Sequence, residues 1–118
     1  MSVELKTEWG SIDISDDVIA TIAGAAALEC YGLVGMASRQ ALKDGIIEML
    51  GRNNLKRGIV VHRNNDKMAV DLHIIVSYGI RISEVAHNVQ KRVKYTLKET
   101  TNLDIDDINI IVQGVNIT

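Results

Sequence analysis

The spacing of apolar positions changes several times along the chain, and each change marks an element. Over Trp9-Gly10-Ser11-Ile12-Asp13-Ile14 the pattern alternates, with Gly10, Ile12 and Ile14 on one face, so residues 3–14 read as an extended segment. Ser15 is a suitable N-cap, and Asp16 and Asp17 follow in a first turn where the helix dipole favours acids. From Asp16 to Tyr31, Ile19, Ile22, Ala23, Ala26 and Cys30 recur at helical spacing. The opposite face, Ala20, Gly24, Ala27 and Tyr31, is small rather than charged, so this helix is expected to be buried on more than one side. Gly24 costs about 1 kcal/mol against Ala in mid-helix. Close approach of another backbone to Ala20, Gly24 and Ala27 would explain that cost. Gly32 is a natural stop.

Leu33 to Ala37 reads as a short strand. Within residues 38–57, Leu42, Ile46, Met49 and Leu50 fall at helical spacing around Gly45, and Gly51-Arg52-Asn53-Asn54 reads as a helix end and a loop. Ile59–Arg63 and Met68–Tyr78 read as strands joined by the hairpin loop Asn64-Asn65-Asp66-Lys67. In the second of them Met68, Val70, Leu72, Ile74, Val76 and Tyr78 share one face, and Asp71, His73 and Ser77 lie on a face expected to be polar and solvated. Gly79 turns the chain, and Ser83 is the expected cap of a second helix. Its apolar stripe is Ile82, Val85, Ala86, Val89, Val93, Thr96 and Leu97, and Thr100, Thr101 and Asn102 end it. Ile108 to Val115 is the last strand. The order β-α-β-(insert)-β-β-α-β predicts one α+β domain over residues 1–118, a small mixed sheet of three to four strands with two main helices on one face.

Composition adds two constraints. With no Phe, one Trp and three Tyr, the core must be built from Ile, Val, Leu and Ala, a mixture suited to sheet with packed helices. Charge is unevenly placed: residues 1–50 carry 3 basic and 8 acidic groups, residues 51–98 carry 10 basic and 3 acidic, and residues 99–118 carry 4 acidic and no basic groups. A basic middle between acidic ends suits an anionic partner or a second copy. Cys30 is the single cysteine, which excludes an internal disulfide and points to a reducing, cytoplasmic compartment. No signal-peptide pattern opens the chain, and the apolar run Val18–Leu28 falls short of the about 20 residues that span a bilayer. Direct membrane insertion is therefore not expected, and membrane association would come through a partner.

Candidate chemistry is sparse. Asp71 and His73 are an acid and a base two apart on one strand face, about 7 Å from each other, with no nucleophile in a recognisable setting. His62, His73 and His87 lack metal-ligand spacing, and no phosphate loop or calcium loop is present. Gly32-Leu33-Val34-Gly35 matches the bare G-x-x-G of KH domains, but Leu33 and Val34 stand where basic residues would track a nucleic-acid backbone. No catalytic, cofactor-binding or metal site is therefore assigned. Two surfaces stand out instead. One is a candidate partner-docking surface: His87, Lys91, Lys94 and Lys98 on the outer side of the second helix, with Arg52, Lys56, Arg57, Arg63 and Lys67 around the hairpin. The other is the close-packing face of Ala20, Gly24 and Ala27.

Several segments taken together carry a family resemblance. Gly10-Ser11-Ile12-Asp13-Ile14-Ser15-Asp16-Asp17-Val18-Ile19, Ile22-Ala23-Gly24-Ala25-Ala26 and Tyr31-Gly32-Leu33-Val34-Gly35-Met36 resemble the opening of the alkaline shock protein family, an envelope-stress family of Gram-positive bacteria. Val70-Asp71-Leu72-His73-Ile74-Ile75-Val76, Asn88-Val89-Gln90-Lys91-Arg92-Val93 and Ile108-Asn109-Ile110-Ile111-Val112-Gln113-Gly114-Val115 continue it in order. Asn102 departs from the glycine usual after the second helix, but Asn tolerates the left-handed conformation required there. The resemblance implies a cytoplasmic scaffold linked to envelope homeostasis and stress. It also implies self-association, or docking to a membrane-embedded anchor or a fatty-acid-kinase-type neighbour, and brings no catalytic residues with it. The expectation is a non-enzymatic interaction protein without cofactors. The alternatives are a nucleic-acid-binding module, less favoured because no aromatics interleave with the basic residues of the hairpin region, and an accessory subunit of such a kinase.

Overall fold

The first stretch of the chain folds back on itself: six Cα pairs run in antiparallel register from Ser2↔Ser15 to Thr7↔Gly10. The structure, a computed structural model, describes residues 2–38, 52–64 and 66–117. The stretch expected to be one extended segment is thus a hairpin of β1 (Ser2–Thr7) and β2 (Gly10–Ser15). The Thr7 hydroxyl accepts the Trp9 N–H at 3.1 Å and donates to the Gly10 carbonyl at 3.3 Å. Gly10 supplies a φ of 140°, which L side chains rarely adopt. Neither Glu8 nor Trp9 is a usual turn residue, so nothing at the bend interrupts the alternation.

Helix α1 (Asp16–Leu28) begins at the expected cap, where the Ser15 hydroxyl accepts the Val18 N–H at 3.3 Å. It ends short of Tyr31, and Gly32, at φ 89°, reverses the chain into β3 (Leu33–Met36). A 3-10 helix (Arg52–Gly58) occupies positions where a loop was expected, and leads into β4 (Ile59–Asn64) and β5 (Lys67–Ser77). The helical reading of Leu42, Ile46, Met49 and Leu50, and the loop residue Asn65, lie outside the described residues. Helix α2 (Ile82–Thr101) starts one residue ahead of Ser83. Its N-cap is Arg81, with no side-chain cap, so the predicted role of Ser83 is corrected. At its other end Asn102 takes the left-handed conformation, φ 61° and ψ 21°, and donates its N–H to the Lys98 carbonyl at 2.9 Å. The last strand is β6 (Asp107–Asn116).

The fold class is α+β, as the pattern predicts, with six strands in two sheets and two α-helices among the described residues. Strand β5 organises the larger sheet. Residues Lys67–Leu72 pair antiparallel with β4, residues Ile74–Val76 with β3, and Ala69–Ser77 pair parallel with β6 on the other edge. The parallel pairing follows from α2 carrying the chain back between β5 and β6. Val70, Leu72, Ile74 and Val76 of β5 are fully buried against Ile19, Ala23, Ala26 and Ala27 of α1 and Val85, Val89, Val93 and Leu97 of α2.

The other face of β5 is not simply solvated. His73 is only 8% exposed, and Ile75 beside it in the same row is also buried. The His73 Nδ1 lies 2.9 Å from the Gly58 carbonyl. A carbonyl only accepts, so Nδ1 carries the proton in the tautomer that makes this bond. The expectation of a solvated His73 fails because of what surrounds it. It pairs with Ile111 of β6 on one edge, and on the other it sits where β4 begins and β3 ends, its own carbonyl accepting the Ala37 N–H at 2.8 Å. Among the described residues the one polar contact of the ring is to Gly58, at the end of the 3-10 helix.

Candidate partner-docking surface

Helix α2 buries Val85, Val89, Val93, Leu97 and Thr101, a stripe at intervals of four, and so turns His87, Lys91, Lys94 and Lys98 outward. Lys98 is held by Asp104 at 3.2 Å, beyond the end of the helix. His87, Lys91 and Lys94 are exposed and hold no carboxylate among the described residues. Instead they border a groove of about 350 Å³ between α2 and the start of β6, with Ile105 and Ile108 buried beneath it and Asp107 on the far wall. The far wall is fixed by its own bonds. Asp106 accepts the Met68 N–H at 2.8 Å and donates its own N–H to the Met68 carbonyl at 2.9 Å. The Gln90 side-chain amide donates to the Ile108 carbonyl at 2.8 Å, tying α2 to the strand.

The basic residues around the hairpin divide differently. Lys56 pairs with Asp17 at 3.3 Å, and Arg63 pairs with Asp16. These contacts fasten the 3-10 helix and β4 to the first turn of α1, so both cations serve the fold. Arg57 and Lys67 are exposed, with no ion pair among the described residues. The Arg52 side chain lies outside the described residues. The structure thus brings His87, Lys91 and Lys94 together on one groove, whose lining includes none of the hairpin cations.

Ala20, Gly24 and Ala27 are buried within the chain itself. A Cβ on Gly24 would meet the Leu55 Cβ at 3.0 Å and the Ile59 Cδ1 at 3.2 Å. The element packed on this face is therefore the 3-10 helix with the start of β4. Cys30 lies half-buried, its thiol 3.9 Å from both the Ala26 and Asn88 carbonyls. Burial pushes its pKa up, partly offset by the nearby Arg92 and reinforced by Glu29.

Asp71 does not orient His73. It accepts from the Asn109 amide at 2.8 Å and meets His62 Nε2 at 2.8 Å, so β4, β5 and β6 are cross-linked by polar side chains. Burial pushes the Asp71 carboxyl up, but the bonds from Asn109 and His62 and the charge of both histidines outweigh it, leaving its pKa below the usual value. Among the described residues no group of three or more His, Cys, Asp and Glu is placed to hold a metal ion, and no helix is long and apolar enough to cross a membrane. Trp9, at the tip of the β1–β2 hairpin, is 92% exposed. The apolar pattern assigns it no role. The signal available was a lone Trp preceded by the polar Thr7 and Glu8 and followed by Gly10.

A model of the alkaline shock protein type, described as a family of cell envelope-related function, matches residues 4–117. The chain belongs to the alkaline shock protein family. Its relatives include the uncharacterized protein YloU of Bacillus subtilis, 54% identical over all of this chain and 98% of the relative. The uncharacterized protein Spy1614 of Streptococcus pyogenes is 42% identical over 99% of this chain and 97% of the relative. A second Bacillus subtilis protein, the uncharacterized YqhY, is 35% identical over 92% of this chain and 79% of its own length. No solved structure matches the chain. Membership in the alkaline shock protein family bears out the resemblance read from the sequence and assigns a cell envelope-related function.

Proposed function

We propose that this alkaline-shock-family chain serves the cell envelope as a non-catalytic, cytoplasmic interaction protein that self-associates and docks a protein partner through the outer face of α2. Membrane association comes through that partner. The supporting observation is the division of the cations. Lys56, Arg63, Arg92 and Lys98 each hold a carboxylate of the chain, whereas Lys91 and Lys94 hold none among the described residues and border a groove. Such side chains retain their charge for a partner. Asp106 and Asp107 on the opposite wall would repel a phosphate backbone, which favours a protein over a nucleic acid as occupant.

The test is light scattering of the wild type and of Lys91→Glu/Lys94→Glu at low and high salt, with a tagged pull-down from cells. The expected result is a mass above the monomer, or a captured partner, that salt and the double substitution both reduce. A strict monomer in every condition with nothing captured sinks the reading, and a gel shift with RNA or DNA at low salt would replace it. Specific capture of a kinase-like protein identifies the partner as an enzyme to which this chain is accessory.

A further inference from the structure

The hairpin and the groove are complementary in a way that neither shows alone. Strands β1 and β2 form a two-stranded sheet of their own, and the molecule measures 52 × 28 × 25 Å. The inner face of the hairpin, Leu5, Ile12 and Ile14, lies by the last turn of α2. The outer face carries Glu4 directly opposite Asp13 in the pairing register. Like charges so placed destabilise a hairpin. Among the described residues the only ion pair on this arm is a long one, Lys6 to Glu4 at 3.9 Å. Glu8 and Asp13 have no charged partner there. At the tip, Trp9 stands 92% exposed, its backbone set by the Thr7 hydroxyl.

A large apolar side chain at the end of an acidic arm would be matched by a site offering apolar contact, cations around it and an acceptor for the indole N–H. The groove beside α2 supplies the cations and the acceptor: Lys91, Lys94 and His87 stand on one wall and Asp107 on the other. Ile105 and Ile108 beneath them are covered almost completely by the fold, so the apolar contact would come from the stems of the two lysines. Cations over an indole face attract it, and a Trp buried in such a pocket prefers a hydrogen-bonded N–H.

We infer that the β1–β2 hairpin of one copy docks in the α2–β6 groove of a second copy, with Trp9 in the groove toward Asp107. The acidic residues of the arm lie on the side of Lys91, Lys94 and His87, away from the Asp106 and Asp107 carboxylates that would repel them. This rests on the self-association reading and names its contact. Arm and groove are different surfaces, so the contact is heterologous and propagates into rings or open chains instead of stopping at a dimer.

Trp9 is the single tryptophan of the chain, so its emission reads the contact directly. The experiment follows emission and mass together through a dilution series of the full chain, at low and high salt, for wild type, Trp9→Ala and Lys91→Glu/Lys94→Glu. Trp9 and both lysines are exposed, so these substitutions leave the core intact, and circular dichroism checks that they do. The expected result for wild type is an emission that shifts to the blue as mass rises and returns in salt. Each variant alone should need about tenfold more protein, or more, to associate. Mixing the two variants should restore one contact, giving a complex that stops at two copies, with the tryptophan of the lysine variant shifted. Rising mass with unshifted emission overturns the arm-in-groove contact and leaves self-association standing. A blue emission independent of concentration overturns it in favour of docking within one chain. Constant emission and constant monomer mass overturn it and, with an empty pull-down, overturn the self-association reading as well.

Discussion

Asp71 carries a pH dependence that its position on a strand would not suggest. Its carboxyl is held below the usual value because Asn109 and His62 bond the ionised form more than burial penalises it. The sign follows from linkage. A depressed folded pKa contributes stability that is present above the unfolded value of about 3.9 and is lost as pH falls through the folded value. Asp71→Asn keeps a polar group between His62 and Asn109 but cannot ionise. Urea unfolding of both proteins between about pH 2 and pH 6 should show a shallower acid loss for the variant. An identical acid limb in the two proteins would mean that the bonds to Asp71 contribute nothing to the pH profile. The same residue marks a limit of strand-face reasoning. Asp71 and His73 share a face and a spacing, but the bonds of Asp71 run sideways to neighbouring strands that one segment of sequence cannot reveal.

At the scale of an element, α1 is built from small residues because something must come close to it. The nearest atom to a Cβ on Gly24 would be the Leu55 Cβ at 3.0 Å, which is anchored to the backbone of the 3-10 helix and cannot swing away. Gly24→Ala would gain about 1 kcal/mol of helix propensity and lose about 1–3 kcal/mol to overpacking. A net loss of about 1 kcal/mol is expected, read as a lower urea midpoint at unchanged slope. A higher midpoint would show that the 3-10 helix yields easily. Half of this was legible along the chain. A mid-helix glycine on a face of alanines announces a close approach, but nothing nearby says that the approaching residue is Leu55, 31 positions away. Helix α2 shows the converse: its stripe and its left-handed end at Asn102 were legible, and its start at Arg81 was not, because no side chain caps it.

For the whole molecule, β5 is the element on which the others depend. Leu72 is fully buried and pairs with Ile59 on one side and Ile110 on the other. Leu72→Ala should cost about 2–5 kcal/mol, a large share of the about 5–15 kcal/mol that holds a domain of this kind together. Circular dichroism in urea should still give one transition, moved to lower denaturant, since the cavity opens where β4, β6 and both helices meet. Two separate transitions would show instead that the elements around β5 unfold independently. The charge map belongs to this scale too. Sequence counts place a basic middle between acidic ends, but the fold uses much of it internally, with Asp16 and Asp17 taking Arg63 and Lys56. What remains outward among the described residues is narrower than the count suggests: His87, Lys91 and Lys94 on α2, with Arg57, Lys67 and Arg81 elsewhere.

The sequence by itself determined the periodic parts. Apolar spacing of two and of three to four places β5, α1 and α2 in register with what they bury, because a strand or helix presents its residues to the core at a set repeat. The order and spacing of its motifs also sufficed for the family. Only the tertiary structure decided which surfaces are left over. Whether a lysine is spent on a carboxylate, whether a histidine on a strand is wet, and whether a lone tryptophan points at solvent all depend on contacts between residues far apart in the chain. Such contacts obey distance and packing, with no repeat for pattern reading to find. Lys56 and Lys91 look alike in the sequence; Asp17, 39 positions from Lys56, makes them different.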